Sequence, residues 1–282
     1  MAKLAWDKTG EHLYRTGIDH GVIYALDSNN EYKGGAEAWN GLTGFTKSPS
    51  GAEETKLYAD NIKYLSLRSA EDFGATLTCY TYPKKFEEMN GSVTPTGAVG
   101  MKIYQQARKT FGLCVRTLIG NDTDGNDHGY ELHLCYGMTA SPSEEAYNTV
   151  NDSPEAIEFS YEMSSVPVAI PNTNYKPTAV ITINSNDFAS DDPTEDAALK
   201  ALLAALEDKL YGTDGVYTKV VSPTGNPKTL GYYELVNGAY VLTEDTEVAS
   251  GKDYYTQTTA PTSAYLPLPA EVISTLTPST AG

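Results

Sequence analysis

Residues 107–136, ARKTFGLCVRTLIGNDTDGNDHGYELHLCY, carry the strongest fold signal in the sequence. Two strand-like runs flank a turn that is rich in Asn, Asp and Gly. Alternate residues form one set in each run: Leu113, Val115, Thr117 and Ile119 in the first, and Tyr130, Leu132, Leu134 and Tyr136 in the second. Alternation on both sides of a glycine-containing polar turn is typical of a β-hairpin with one buried face. We therefore predict such a hairpin as the centre of the fold.

The composition favours a β-rich protein. The chain has 282 residues, enough for one large domain or two smaller ones with a sizeable core. Its 21 tyrosines stand against 6 phenylalanines and 2 tryptophans. Tyrosine suits pleated, half-buried surfaces, because one end of the ring is apolar and the other forms a hydrogen bond. A second interpretation is a chain that buries much of its surface against copies of itself.

The charge is strongly acidic, with 37 Asp and Glu residues against 20 Lys and Arg and a formal net charge of −17. Such a chain is repelled by a phosphate backbone and by an anionic membrane, so we predict neither specific nucleic-acid binding nor membrane association. The first residues lack the apolar segment of a secretion signal, and no apolar run of about 18 residues occurs. We expect the protein to be made and kept in a cytosol unless a leaderless route exports it.

Short strands are predicted wherever apolar residues alternate outside the hairpin. They cover residues 22–26, 36–43, 64–67, 73–81, 157–163 and 180–184. Residues 1–21 are polar and are expected to form an arm with little structure of its own. Residues 46–55 have no periodicity and many turn-forming residues, which predicts a long exposed loop.

One long helix is predicted between Asp192 and Gly212. Asp192 can cap its first turn, Pro193 fits the N1 position, and Glu195 completes an arrangement like a capping box. A single stripe of leucines follows at helical spacing: Leu199, Leu202, Leu203, Leu206 and Leu210. The stripe must be buried, most simply against a sheet face. Shorter helical segments are expected at residues 83–89 and 141–144.

Residues 213–260 differ in character and contain a weak internal repeat. Gly215-Val216-Tyr217 recurs as Gly238-Ala239-Tyr240, and Tyr232-Tyr233 recurs as Tyr254-Tyr255. Two copies of a hairpin would form a small peripheral β module. Residues 1–212, with 261–276 returning to them, are then the main β domain. The prolines of residues 264–269 predict an extended chain there, and residues 277–282 are expected to be a disordered tail.

No residue pattern indicates catalysis or metal binding. The turn beginning at Asp122 invites a calcium interpretation, but an EF-hand loop would need Gly at position 127 and Glu at 133, where Asp127 and His133 stand. A plain hairpin turn is favoured. No nucleophile, dinucleotide-binding or phosphate-binding motif is present, so we predict that the protein is not an enzyme and has no cofactor, metal or catalytic residues. Cys79, Cys114 and Cys135 are interpreted as reduced core residues.

Long phrases of the chain resemble the major tail protein (tail tube protein) family of long-tailed, non-contractile bacteriophages. The central phrases are QQARKTFGLCVRTLIGND at 105–122 and HGYELHLCYGMTASPSEEAYNTVNDSPEAIEFSYE at 128–162. Further phrases are AWNGLT at 38–43, SPSGAEETKLYADNIKYLSL at 48–67, EDFGATLTCYTYP at 71–83, LEDKLYGTD at 206–214 and LPLPAEV at 266–272. The resemblance covers most of residues 10–212 and about 264–273.

The resemblance implies a mainly β fold, a β-sandwich or open barrel with one flanking α-helix, that assembles into hexameric rings. Stacked rings form a tube through which double-stranded DNA passes without specific binding during ejection. The implied partners are other copies of the chain and the tape measure, tail terminator and distal tail proteins. The implied localisation is the tail of the virion, with assembly in the host cytoplasm. An anionic lumen would let DNA slide without sticking.

The long loop of the family makes residues 46–58 the candidate ring-stacking segment; an ordinary flexible loop is the alternative. The candidate residues are Lys47, Pro49, Gly51, Glu53, Glu54 and Tyr58. Arg108, Lys109 and Arg116 are the basic residues of the central stretch and are candidates for ion pairs with a neighbouring subunit, each contributing about 0–1 kcal/mol.

Residues 213–260 depart from the family pattern and are expected to project from the outside of the tube. They would act as a spacer or stabilising knob, or alternatively bind cell-surface glycans. Two further hypotheses stay open for the whole chain: another virion component of the same fold, such as a sheath or distal tail protein, and a carbohydrate-binding surface β protein.

Overall fold

The protein is mainly β, as predicted, with 41% of its residues in strands and 14% in helices. The computed structural model describes residues 6–51, 53–147, 149, 156–171 and 174–278. The strands of the main domain are β1 (Tyr14–Ala25), β2 (Ala36–Trp39), β3 (Leu42–Lys47), β4 (Ser50–Gly51), β5 (Glu54–Ala59), β6 (Ile62–Arg68), β7 (Glu71–Asp72), β8 (Gly74–Cys79), β9 (Phe111–Asn121), β10 (Gly125–Ala140), β11 (Phe159–Ser165) and β12 (Val180–Asn184). Later strands are β13 (Val216–Lys219), β14 (Tyr233–Val236), β15 (Ala239–Leu242) and β16 (Tyr255–Thr259). The α-helices are α1 (Lys84–Met89), α2 (Pro193–Tyr211) and α3 (Pro269–Leu276), with a 3-10 turn at Ser185–Phe188.

The predicted central hairpin is formed by β9 and β10, but the expectation of a single buried face is wrong. The pairing places Val115 opposite His133 and Leu134 opposite Cys114. The two alternating sets therefore lie on opposite faces of the hairpin, and each face is apolar over part of its length. Both faces must be covered, so the hairpin lies in the middle of the domain between two hydrophobic cores.

The first core is enclosed by the curled main sheet. Its strand order is β2-β1-β9-β10-β11-β8-β3, with β12 also paired to β10. Strand β10 joins the two parts of the sheet, because it pairs with β9 and β12 over residues 131–135 and with β11 at residues 138–140. Aromatic rings fill the space between the parts, and Phe86 of α1 lies 4.5 Å from Trp39 and 4.8 Å from Tyr161 between ring centroids. This is the predicted sandwich or open barrel.

The second core lies between the other face of the hairpin and the helices. The side chain of Asp192 accepts hydrogen bonds from the backbone N–H groups of Thr194 and Glu195, which confirms the predicted cap. Glu195 does not close a capping box, since its carboxylate accepts from Ser190 Oγ. Leu203, Leu206 and Leu210 are buried against the sheet, as the stripe predicts.

A second helix, α3, flanks α2, whereas one helix was expected. Residues 264–268 are extended as predicted, but Pro269 starts a helix because proline is tolerated in the first helical turn. Lys209 Nζ lies 2.9 Å from Glu271 Oε1 and joins the two helices. The prediction of disorder for the tail falls mainly on residues 279–282, which lie outside the described residues.

Two further predictions are wrong. Strand β1 begins at Tyr14, inside the segment expected to be unstructured, because pairing with β9 imposes the strand. Residues 141–144 form no helical turn. The predicted helix at 83–89 and the strands at 73–81 and 180–184 are confirmed. The three cysteines are free and buried.

Residues 213–260, named here the inserted module, form a separate sheet in the order β13-β16-β14-β15. Its two repeats do not fold as two hairpins, because the first strand of each repeat pairs with the second strand of the other. Equivalent residues meet: Tyr233 pairs with Tyr255, and the rings of Tyr217 and Tyr240 stack 4.0 Å apart. The two repeats therefore combine into one four-stranded sheet.

Candidate functional site

An exposed, regular feature of the main domain is a β-arm, defined as the described residues 50–51 and 53–72. The β3–β8 ladder continues through the β4–β7 pair into the β5–β6 pair and ends at a turn at Asp60 and Asn61. Both turn residues have positive φ, 53° and 64°, as a two-residue hairpin turn requires. The expected loop over residues 46–55 is thus wrong in conformation, although it is right in exposure.

Every residue of β5 and β6 is exposed. Cross-strand pairs place Leu57 opposite Leu65 and Thr55 opposite Leu67, so these side chains share one face of the ribbon. The large apolar side chains exposed along β5 and β6 have exposed fractions from 37% to 68%: Leu57, Tyr58, Ile62, Tyr64, Leu65 and Leu67. An isolated two-stranded hairpin is only marginally stable in water, and contiguous apolar exposure of this kind marks interaction surfaces.

The opposite face of the ribbon is polar except for Tyr58 near the tip. Glu54 pairs with Arg68 and Lys56 pairs with Ser66 across the strands. The Glu54 carboxylate also accepts from Ser66 Oγ and lies 2.7 Å from Lys63 Nζ, and these two donors lower its pKa. The β-arm is therefore amphipathic, with an apolar face that nothing in the described chain covers.

The candidate ring-stacking residues lie along the first half of the β-arm and just before it, from the end of β3 to β5. Lys47 ends β3 and donates to Thr182 Oγ1 at 3.1 Å, Gly51 lies in β4 with φ of 85°, and Tyr58 lies near the tip. Pro49 and Glu53 lie just before β4 and β5, and Glu54 starts β5. Their part in stacking stays a prediction. Sequence reasoning missed the other strand of the β-arm as part of the site, although its alternation was visible at residues 64–67.

Each of the three candidate ion-pair residues already has a partner within the chain. Arg116 binds the carboxylate of Asp19 through two nitrogens, at 2.7 and 2.8 Å, and its hydrogen bond lowers the pKa of Asp19. Arg108 donates to the side chain of Asn90 and to the carbonyl of Ala140. Lys109 forms an ion pair with Glu88. Their role between subunits therefore stays a prediction.

The Asp-rich turn is organised by local hydrogen bonds. Asn121 Oδ1 accepts from the backbone N–H groups of Thr123 and Asp124, as in an Asx turn. Asp122 accepts from the backbone of Gly10 and faces His12 at 3.2 Å, which holds the segment before β1 against the hairpin. Among the described residues, no group of three or more His, Cys, Asp or Glu side chains is arranged to hold a metal ion.

A buried histidine lies on the hairpin close to where the β-arm leaves the sheet. His133 is 4% exposed and lies between two hydroxyls, with Nε2 2.9 Å from Thr117 Oγ1 and Nδ1 3.3 Å from Thr182 Oγ1. Burial lowers its pKa to about 4, and the nearby cations of Lys47 and Arg15 act in the same direction. The neutral imidazole is therefore the form that the folded protein favours.

A cavity of about 810 Å³ lies beside α1. Two of its charged side chains stabilise the local structure: Lys85 Nζ donates to Gly34 O, and the Glu37 carboxylate accepts from the backbone of Lys84 and Lys85 at the start of the helix. These contacts stabilise the helix terminus and the adjacent turn. The arrangement explains the local structure without a ligand.

Compared with known proteins, the chain matches no protein-family model and no curated protein. The resemblance of its phrases to the tail tube family therefore stays a prediction. Among the helices that the structure describes, none is both long enough and apolar enough to span a membrane. The site that the geometry offers is a surface: an amphipathic β-arm projecting from a β-sandwich.

Proposed function

We propose that this protein is a structural virion subunit that assembles with copies of itself into stacked hexameric rings, the tail tube of a long-tailed, non-contractile bacteriophage. The tube is the conduit for double-stranded DNA during ejection, and its ends meet the tape measure, tail terminator and distal tail proteins. The subunit is then located in the virion tail and assembles in the host cytoplasm. The proposal rests on the family resemblance together with the surfaces that the fold exposes.

The observation that carries the proposal is the uncovered apolar face of the β-arm. Burying apolar surface is the dominant favourable term in protein association, and leaving Leu57, Leu65 and Leu67 in water costs that free energy in every isolated subunit. An exposed apolar face of this kind is typical of an interaction surface. A subunit that stacks on its copies can bury this face against a neighbouring subunit.

The edges of the main sheet support ring formation. Within the described part of the chain, the outer edges of β2 and β12 pair with no other strand. Unpaired edges are a liability in a monomer, and closing a barrel across subunits removes them. The net charge of −17 is consistent with a wall that repels DNA and so lets it slide.

Two deletions test the proposal by negative-stain electron microscopy and sedimentation of the purified chain. Replacing residues 54–68 by a short glycine-containing turn is expected to abolish tubes while leaving the monomer folded, because no core residue lies in that segment. The matched control removes residues 214–261. The flanking residues Thr213 and Thr262 are joined by two backbone hydrogen bonds, of 3.2 and 3.0 Å, so the chain can be closed there.

The full chain and the control deletion are expected to form hollow tubes or hexameric rings. A full chain that stays monomeric at high concentration and under crowding would count against the proposal. Tubes that persist without residues 54–68 would show that the β-arm does not hold rings together. Tubes lost on the control deletion would contradict the peripheral position proposed for the inserted module.

A further inference from the structure

One face of the inserted module is rich in tyrosine. Residues directly opposite each other on antiparallel strands project from the same face of a sheet, and alternate residues along one strand do the same. The opposite pairs are Tyr217 with Gln257, Tyr233 with Tyr255, and Leu235 with Tyr240. The four tyrosines of these pairs therefore lie on one side of the sheet, which is named here the tyrosine face.

The tyrosine face consists of two equivalent halves. Tyr217 of the first repeat corresponds to Tyr240 of the second, and Tyr233 corresponds to Tyr255. The rings of Tyr217 and Tyr233 lie 4.9 Å apart at 65°, and those of Tyr240 and Tyr255 lie 5.0 Å apart at 74°. The stack of Tyr217 on Tyr240 joins the two pairs. The face therefore presents the same arrangement of rings twice.

The tyrosine face combines exposed apolar surface with hydrogen-bonding groups. Tyr240 is 36% exposed and Leu235 is 50% exposed. Gln257 Nε2 donates to the hydroxyl of Tyr217 at 3.1 Å, and the hydroxyl of Tyr233 donates to Gln257 Oε1 at 3.4 Å. Aromatic surface with a few fixed polar groups is typical of sites that bind small organic rings.

The strands contribute no unpaired charge to this face. The four strands of the inserted module contain two charged side chains, Lys219 and Glu234. Lys219 lies on the tyrosine face, opposite Tyr255, and forms an ion pair with Asp253 at 2.7 Å. Glu234 lies on the other face and binds Lys252 at 2.8 Å. The tyrosine face therefore favours a neutral ligand.

We propose that the tyrosine face binds a polysaccharide made of neutral sugar rings. A sugar ring has an apolar C–H face that packs on an aromatic ring, and its hydroxyls form hydrogen bonds with amide and phenol groups. A polymer of repeating sugar units matches a face that repeats its own pair of rings. Nucleic-acid bases also stack on tyrosine, but a chain with a net charge of −17 repels their phosphates.

Native gel electrophoresis of the full chain in gels that contain a neutral polysaccharide tests the inference. Separate gels contain dextran, mannan, xylan, galactomannan or glycol chitin. At least one polysaccharide is expected to retard the full chain, and the chain without residues 214–261 is expected to migrate as in a plain gel. Tyr240→Ala removes a ring of the central stack and is expected to weaken binding by about tenfold.

Three further variants separate ligand contact from damage to the fold. Tyr240→Phe keeps the ring and is expected to bind more tightly than Tyr240→Ala. Gln257→Leu keeps all four rings, and leucine suits the site because Leu235 stands at the equivalent position of the other repeat. This variant is expected to bind less tightly than the unsubstituted chain with unchanged thermal unfolding. Tyr80→Ala removes an exposed tyrosine of the main domain and is expected to bind normally.

Three outcomes would overturn the inference. The first is migration of the full chain that none of the five polysaccharides changes. The second is equal retardation of the full chain and Tyr240→Ala. The third is a full chain that binds no polysaccharide and forms a dimer that Tyr240→Ala dissociates in sedimentation, because a second copy would then occupy the face. Tube formation in electron microscopy tests the proposed function separately, since the tyrosine face belongs to the inserted module and not to the main domain.

Discussion

Replacing His133 by glutamine is expected to remove a large part of the pH dependence of stability. In the folded protein the ring is 4% exposed and lies between the hydroxyls of Thr117 and Thr182. Burial is the main cause that lowers its pKa from 6.5 to about 4. The unfolded chain binds a proton at this ring more readily than the folded chain does, so acid favours unfolding.

The size of the effect follows from these two pKa values. The stabilisation is fully present above the unfolded value of 6.5 and is lost as the pH falls towards 4. Linkage gives a loss of about 2 kcal/mol between pH 8 and pH 5. The carboxyls of Asp19 and Glu131 keep their charge over this range, because Arg116 and Arg15 lower their pKa values.

Urea unfolding at pH 8 and pH 5, followed by the fluorescence of the buried Trp39, measures the loss in free energy of unfolding. His133→Gln is expected to be less stable at pH 8, where the neutral ring fits its hydroxyl partners, but to lose about 2 kcal/mol less than the unsubstituted protein on acidification. His12→Gln, which removes an exposed ring, serves as the control and is expected to keep the full loss. Equal pH dependence in His133→Gln and the unsubstituted protein would refute the reasoning.

Three further predictions follow from the fold. Leu206→Ala opens a fully buried site between α2 and the sheet and is expected to lower the free energy of unfolding by about 3 kcal/mol in urea titrations. Gly137→Ala is expected to destabilise by about 2–4 kcal/mol in the same assay, because φ is 60° and a Cβ would lie 2.1 Å from Val166 O. The native thiols are expected to resist maleimide until the chain unfolds, because all three are buried and burial raises the pKa of Cys114 and Cys135 to about 12; rapid labelling of the folded chain would contradict this.

The sequence was sufficient to predict features that depend on interactions between residues close together in the chain. The cap at Asp192, the leucine stripe and the stop at Gly212 lie within one helix, and the structure confirms all three. The turn at residues 121–125 was equally readable, because its side chains bond to their own backbone. Non-local pairing was not readable. The start of β1 at Tyr14 depends on a partner strand about a hundred residues away, at Gly120.

The two faces of the central hairpin show a second limit. Alternation in each strand was visible, but the register between strands was not, and a shift of one residue exchanges the faces. The observed register puts Val115 beside His133 and Cys114 beside Leu134. Each face of the hairpin therefore packs into a different core. The helices are needed because they cover the apolar face that the sheet does not enclose.

Alternation reports that a face is buried, and it does not say which chain buries it. In most strands of the main domain the apolar face meets the rest of the same molecule. In the β-arm the same pattern, with Leu57, Leu65 and Leu67 on one face and Glu54, Lys56 and Arg68 on the other, meets only solvent. An isolated two-stranded ribbon is only marginally stable in water, so a period-two pattern without an internal partner is the feature on which the proposed assembly rests. In the proposed assembly, the β-arm is the segment whose apolar face is buried by a neighbouring subunit.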